Sequence, residues 1–303
     1  MTPPPATTPD TALVFDRALV RARRDRAAAG FDGVDFLFRT IAERLAERTG
    51  DIRRAFPRAL DLGAHSGLLG AALRSAGVGR DMLVSSDLSP AFIARGRGVR
   101  VVADEELLPF AENSFDLIAS ALSLHWVNDL PGALVQINRA LAPDGAFLAA
   151  LFGPRTLHEL RRAWAEAEQA IDGGVSPRVS PFVDLRAAGG LLQRAGFALP
   201  VADAETITVD YPDPLTLMRE LRAMGESNAL LARRTAPTGR ATLMAAAERY
   251  HALFAGPEGR VPATFEIVYL LGWAPHPSQQ KPLKPGSATM PLAAVLAQGN
   301  TND

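Results

Sequence analysis

Residues 59–67 read Ala-Leu-Asp-Leu-Gly-Ala-His-Ser-Gly, and a second apolar run, Met-Leu-Val-Ser-Ser-Asp at 82–87, closes on Asp87. A short buried strand ending in Asp-x-Gly, a glycine-bearing turn, a helix and a further strand ending in a carboxylate is how a Rossmann-type domain receives a nucleoside. The glycines let the backbone approach a ligand. The Asp87 carboxylate has acceptors enough for both hydroxyls of a ribose. The pattern implies an adenosine-containing cofactor.

Outward from this stretch the rhythm is strand, helix, strand. Strands are expected at 58–62, 82–86, 98–102, 115–121 and 145–151, with helices at 67–77, 89–96 and 131–141. Such alternation builds a mostly parallel sheet with helices on both faces. Pro143-Asp144-Gly145 marks the turn into the fifth strand. Helices follow at 154–171 and 184–195, the latter capped by Gly196. Alternating residues at 205–210 and 264–272 read as two more strands, and helices at 214–223 and 239–254 between them form an insertion, a small lobe over the ligand site. The expected organisation is a disordered Pro- and Thr-rich start (1–12), N-terminal helices (13–57), a Rossmann-like core (58–152), the rest of the sheet with its helical substrate lobe (153–273) and a loosely packed tail (274–303). In the second N-terminal helix Phe36, Leu37, Ile41 and Leu45 share one face, with Arg48 a turn further on.

The chain has 303 residues, 48% of them hydrophobic, enough for one large core or a core with a smaller lobe. Its 32 Lys plus Arg nearly cancel 33 Asp plus Glu, so no overall field favours nucleic acid or an anionic membrane. No apolar run approaches a transmembrane length. The Arg-rich stretch 19–29 is interrupted by Asp25 and reads as an amphipathic helix rather than a targeting peptide. With no cysteine there is no disulfide, thiolate nucleophile or Cys-type metal site, which fits a reducing cytoplasm.

Asp61, Gly63, Gly67, Asp87, Asp104 and Asp116 all fall at or near expected strand ends, with Asp104 placed to meet an adenine. A nicotinamide dinucleotide site carries Gly-x-Gly-x-x-Gly, and Gly63, Gly67 and Gly70 have the wrong spacing. Asp61, two residues before the first glycine, sits poorly beside a pyrophosphate but suits a cationic or zwitterionic ligand. S-adenosylmethionine, which has a sulfonium and an amino-acid end and no phosphate, is therefore favoured over NAD.

These residues resemble the class I S-adenosylmethionine-dependent methyltransferases, in particular the type 11 branch. The stretch 102–120, from Val102-Ala-Asp-Glu-Glu to Phe115-Asp-Leu-Ile-Ala-Ser120, is similar to that branch's third and fourth motifs, and Asn138-Arg-Ala-Leu-Ala-Pro-Asp-Gly145 to its lead-in to strand five. The resemblance implies a seven-stranded α/β fold and a cofactor held by Asp61, Gly63, His65, Gly67, Asp87, Leu88, Asp104, Glu105 and Leu122. Over 15–288 the chain also resembles the complex I assembly factors of methyltransferase fold and their bacterial relatives, through Phe15-Asp16-Arg17, Ser123-Leu-His-Trp-Val-Asn-Asp-Leu-Pro131, Met224-Gly-Glu-Ser-Asn228 and Val261-Pro-Ala-Thr264. The carrier-protein malonyl O-methyltransferases are the other similar family. The assembly-factor resemblance implies action on a peripheral subunit of NADH:quinone oxidoreductase, by methylation or by arginine hydroxylation. One departure stands out: the family's glycine loop has Gly where this chain has His65, whose imidazole would crowd the methionine end or turn away from it.

Methyl transfer asks mainly for alignment and exclusion of water, because the sulfonium already activates the carbon. His125 and Trp126 follow the fourth strand where an acceptor would approach. His125 reads either as a general base or as a helix cap. Glu226, Ser227 and Asn228 read either as a substrate contact or as a cap of the next helix. The five histidines have no metal-ligand spacing, and His125 with Asp129, four apart, is the one weak pairing, so no metal site is expected. A non-catalytic chaperone that keeps the fold to hold a client is the reading from a different class.

Overall fold

A computed structural model describes residues 13–280; the expected disordered start (1–12) and most of the tail (281–303) lie outside the described residues. The sheet comprises β1 (Arg58–Leu62), β2 (Met82–Asp87), β3 (Val99–Val102), β4 (Phe115–Ala121), β5 (Leu141–Phe152), β6 (Ala198–Tyr211) and β7 (Val261–Trp273), in the order β3-β2-β1-β4-β5-β7-β6. The first five strands run parallel, and β7 enters antiparallel between β5 and β6. Strands β1, β2, β4 and β5 are near-continuous apolar runs because both faces of a parallel sheet are covered.

Alternation along each strand divides the core in two. Ala59, Leu117, Leu148 and Ile267 face one layer, with α2 (Phe36–Gly50), α3 (Leu68–Ser75), α4 (Pro90–Arg95), α6 (His158–Ile171), α8 (Pro214–Ala223) and α9 (Arg240–Phe254). Leu60, Ile118, Phe147 and Val268 face the other, with α5 (Leu130–Ala140) and α7 (Leu185–Arg194). Helix α1 (Arg17–Ala27) lies across the end of the sheet and buries only Val20, Arg24 and Ala27. Its N-cap, Asp16, accepts from the Leu19 amide and is tied to the chain by its own amide, which donates to Ala229 O at 2.9 Å.

The expected elements are present, with local differences. Strand β5 begins at Leu141, because Leu141 still pairs with Phe115 before the Pro143-Asp144-Gly145 turn shifts the register to Leu117 and Ala146. β6 starts at Ala198, well before 205, since the long β7 offers it a partner along its whole length. Phe36 opens α2 exposed, and Phe38, which was not expected on the apolar face, is buried instead. Asp116 is misplaced by the sequence reading: it lies at the N-terminal end of β4, opposite the crevice, where its carboxylate clamps the Arg58 guanidinium at 2.9 Å.

Phe147 is fully buried and stacks on Phe197 with ring centroids 5.5 Å apart. Phe147→Ala leaves a cavity between β5 and α7 and is expected to cost about 3–5 kcal/mol, read as a lowered urea midpoint at unchanged slope.

Candidate functional site

Strand order reverses between β1 and β4, and the crevice there is the binding position of open α/β sheets. After β1 the chain makes a tight loop in which Gly63, His65 and Gly67 have φ of 71°, 46° and 84°. The amides of Gly63 and Ala64 both donate to Ser86 O, at 2.8 and 2.9 Å, which ties the loop to β2. A Cβ at Gly63 would collide with the Ser123 side chain, so only glycine fits. Asp61, fully buried, accepts from the Gly70 amide at 2.9 Å through Oδ2, while its Oδ1 is buried with no partner. Burial, reinforced by the nearby Asp87 charge, pushes the Asp61 carboxyl up to about 7. An acid in that condition is suited to a cationic group.

Asp87 ends β2 fully buried. It accepts from the His65 amide at 3.0 Å and the Ser89 amide at 2.8 Å, and both its oxygens lie 3.4 Å from Arg24 Nη1. Ser89 in turn caps α4, followed by Pro90 at the first helical position. Arg24 reaches in from α1, 1% exposed, donates to Glu105 Oε1 and Ser123 Oγ at 2.9 Å each, and is joined by Arg17, which bonds Glu105 and, at 2.5 Å, Asp104. Burial alone would raise the Glu105 carboxyl, but Arg24 and Arg17 outweigh it and hold Glu105 well below the usual range. For Asp87 burial prevails and its carboxyl is raised.

His65 fills the space above the loop. Its ring packs among Phe38, Phe92 and Phe31, at centroid distances of 4.8, 5.4 and 6.0 Å. Nδ1 is 2.8 Å from Gly63 O and therefore carries the proton, and Nε2 is buried without a partner. Burial, with the Arg24 charge, pushes the imidazole down to about 3, so it is neutral. What remains beside Asp61, Gly63 and His65 is a void of about 10 Å³. The donor set therefore matches the chemistry expected of S-adenosylmethionine, with an unpartnered Asp61 oxygen for an ammonium and the Asp87 carboxylate for a ribose. Access does not: Asp61, Asp87 and Glu105 are fully buried in this conformation, so none of them is open to an adenosine.

A second cavity, of about 400 Å³, opens next to the first, at the end of β5. Phe152, Trp164, Phe182, Phe265 and Trp126 form its apolar walls, Glu226 supplies a carboxylate, and Arg222 and Arg178, the latter paired with Glu168 and lying over the Trp164 ring, are also on the lining. Its size falls in the range of small-molecule and side-chain sites. His125 and Trp126 sit in a 3-10 turn, Leu124–Trp126, directly after Ser123. His125 Nε2 and Trp126 Nε1 both meet Glu226 Oε2, at 3.1 and 3.0 Å. Burial would raise Glu226, but His125 overcomes it and the carboxyl is lowered, hence ionised.

Of the residues expected from sequence, Asp61, Gly63, His65, Gly67, Asp87, Asp104, Glu105 and Leu122 gather at the strand-order reversal. Leu88, next in the chain to Asp87, packs against the cluster of Phe15, Val20, Trp126, Ala229 and Leu230. His125, Trp126 and Glu226 meet one another, and Ser227 and Asn228 line the same cavity. The capping alternative for 226–228 does not hold, because α9 starts at Arg240. Asp129 caps α5 and does not pair with His125, and among the described residues no group of three metal-ligating side chains forms. Sequence reading missed Arg24, Ser123, Phe31 and Phe38. Nothing in an Arg-rich amphipathic stretch marks which arginine is buried.

The Asp61 shift has a pH signature. Its folded pKa of about 7 lies above the unfolded value of about 4, so its contribution to stability is full below about pH 4 and is lost as pH rises towards 7. Asp61→Asn keeps an acceptor for the Gly70 amide and removes the loss. The unfolding free energy of the variant relative to the unaltered chain is expected to grow between about pH 4 and 7 and then level, measured by urea titration at each pH.

Comparison with known proteins agrees with this architecture. Residues 60–149 match the family model described as a methyltransferase domain. The chain is 43% identical over 295 residues to arginine-hydroxylase NDUFAF5, mitochondrial, of Homo sapiens, covering 96% of this chain and 85% of that protein. It is 39% identical over 277 residues to malonyl-[acyl-carrier protein] O-methyltransferase of Halorhodospira halophila, covering 88% of this chain and 90% of the relative. Among solved structures, a phosphoethanolamine N-methyltransferase 2 of Haemonchus contortus, in complex with S-adenosylhomocysteine, has a TM-score of 0.51 at 16% identity, covering 85% of this chain and 60% of that one, a likeness of fold alone. With such relatives along nearly its whole length and a methyltransferase-domain match over its sheet core, the chain belongs to the class I methyltransferase-fold family that includes the NDUFAF5 arginine hydroxylases.

Proposed function

We propose that the chain is an S-adenosylmethionine-dependent enzyme of the type 11 methyltransferase branch that modifies an arginine side chain of a protein, a peripheral subunit of the respiratory NADH:quinone oxidoreductase during assembly. We place the encounter in the cytoplasm, at the periphery of the membrane complex. The reading rests on Glu226, a buried ionised carboxylate facing an aromatic cavity. Its hydrogen bonds from His125 and Trp126 both fall on Oε2, so Oε1 is the oxygen left to meet a cation. A guanidinium suits that setting twice over, since its planar donors match a carboxylate and its flat cation is attracted to aromatic faces. S-adenosylmethionine, when bound, supplies a methyl group activated on a sulfonium. The chain's own residues do the rest: Glu226 orients one guanidinium nitrogen, His125 fixes Glu226, and Phe152, Phe182 and Trp126 exclude water.

Hydroxylation of the same arginine is the second reading, favoured by the likeness to arginine hydroxylases along 96% of the chain. Both readings begin by holding a guanidinium, so the roles of Glu226 and His125 are common to them.

Mass spectrometry of the peripheral subunits from cells with and without this chain separates the readings. A methyl increment on an arginine that disappears on deletion means methylation, an oxygen increment means hydroxylation, and no difference leaves a chaperone that holds its client. Glu226→Gln is expected to lower the modification rate by about ten- to a hundred-fold, the worth of a charge-assisted hydrogen bond. Asp87→Ala is expected to abolish S-adenosylmethionine binding in calorimetric titration; unchanged affinity would remove the ribose assignment.

A further inference from the structure

We propose that this chain fills its own cofactor cleft, with the Arg24 guanidinium on the Asp87 carboxylate and the His65 ring in the space above the glycine loop, so that S-adenosylmethionine binds only by evicting both. The proposal rests on the cofactor reading above. Asp87 offers about four lone-pair directions. In this structure four contacts use them: the amides of His65 and Ser89 and the paired approach of Arg24 Nη1 to both oxygens. A ribose needs the same oxygens, so the sugar and the guanidinium cannot be bound together. The remaining void, about 10 Å³, is at the roughly 10–15 Å³ a cavity needs to hold a single water.

The two occupants differ in how they are held. His65 stands at φ 46°, a left-handed conformation that strains a residue with a Cβ and that glycine adopts freely. The three phenylalanines and the bond to Gly63 O keep the ring in place. Arg24 is held by charge: Glu105, Asp87 and Ser123 surround it, with Arg17 alongside. Its helix is the element able to leave. Helix α1 buries only three residues, and its opposite face, Arg21, Ala22 and Arg26, is exposed. Withdrawal of α1 therefore exposes little apolar surface, and the main cost is the parting of Arg24 from its carboxylates. A ligand that must first pay such a cost binds more weakly by the fraction of open molecules.

The test is calorimetric titration with S-adenosylmethionine and S-adenosylhomocysteine of the full-length protein, His65→Gly and His65→Ala, with circular dichroism melts to establish that each is folded. His65→Gly relieves the backbone and empties the space, and is expected to bind at least about ten-fold more tightly than the unaltered chain. His65→Ala, which keeps a Cβ at positive φ, is expected to fall between them. Equal or weaker binding by His65→Gly overturns the proposal and leaves the cofactor reading intact, whereas no binding by any of the three overturns the cofactor reading itself. Hydrogen exchange on the unaltered chain tests Arg24 independently: saturating cofactor is expected to reduce the protection of amides 17–27. Unchanged or increased protection there overturns the displacement of α1.

Discussion

The Arg24 guanidinium, held between Asp87 and Glu105, is the constraint on which the site's geometry depends. Two carboxylates buried at the ends of neighbouring strands repel each other and lose hydration, and neither would remain ionised there alone. Arg24 and Arg17 together bring two positive charges against Asp87 and Glu105. The match decides the position of α1 across the strand ends, the seating of Glu105 beneath Gly63, and the direction of Ser123, which links the network to β4. Its stabilising role is conditional, because a buried ion pair holds only while its hydrogen bonds are complete. A group that competes for Asp87 therefore perturbs the whole arrangement.

One short segment serves both cavities. Leu122 and Ser123 border the filled nucleoside crevice, and His125 and Trp126, two and three residues after Ser123, hold Glu226 against the open aromatic cavity. The ionised Glu226 and the raised Asp61 are opposite answers to the same burial. Glu226 has an imidazole and an indole N–H to stabilise its charge, while Asp61 has one amide and a neighbouring negative Asp87. The first is held as an anion, whereas the second, at about 7, is only about half ionised at neutral pH.

Much of this was legible in the residue order. The Asp-x-Gly turn, the apolar strands and the carboxylate at 87 placed the crevice, since a parallel sheet must be buried on both faces and its ligands collect at the carboxyl ends of its strands. Asp116 shows the limit of that logic: a carboxylate close to a strand end was assigned to the crevice, yet direction along the strand puts it at the opposite edge with Arg58. The meeting of His125 with Glu226 joins positions 101 residues apart, and no local spacing encodes it. Position 65 was visible as a departure from the family loop, but whether its ring entered the pocket or left it was not.

The sequence by itself determined the fold class, the position of the cofactor crevice and the residues around its rim, because periodicity and turn chemistry are local properties of the chain. Only the tertiary structure decided that the crevice is full. The packing of Phe31, Phe38 and Phe92 around His65, and the convergence of Arg24 with Asp87 and Glu105, depend on the docking of α1 and α2 against the sheet. Those contacts are long-range, and charge and volume there are balanced between residues that the sequence holds far apart.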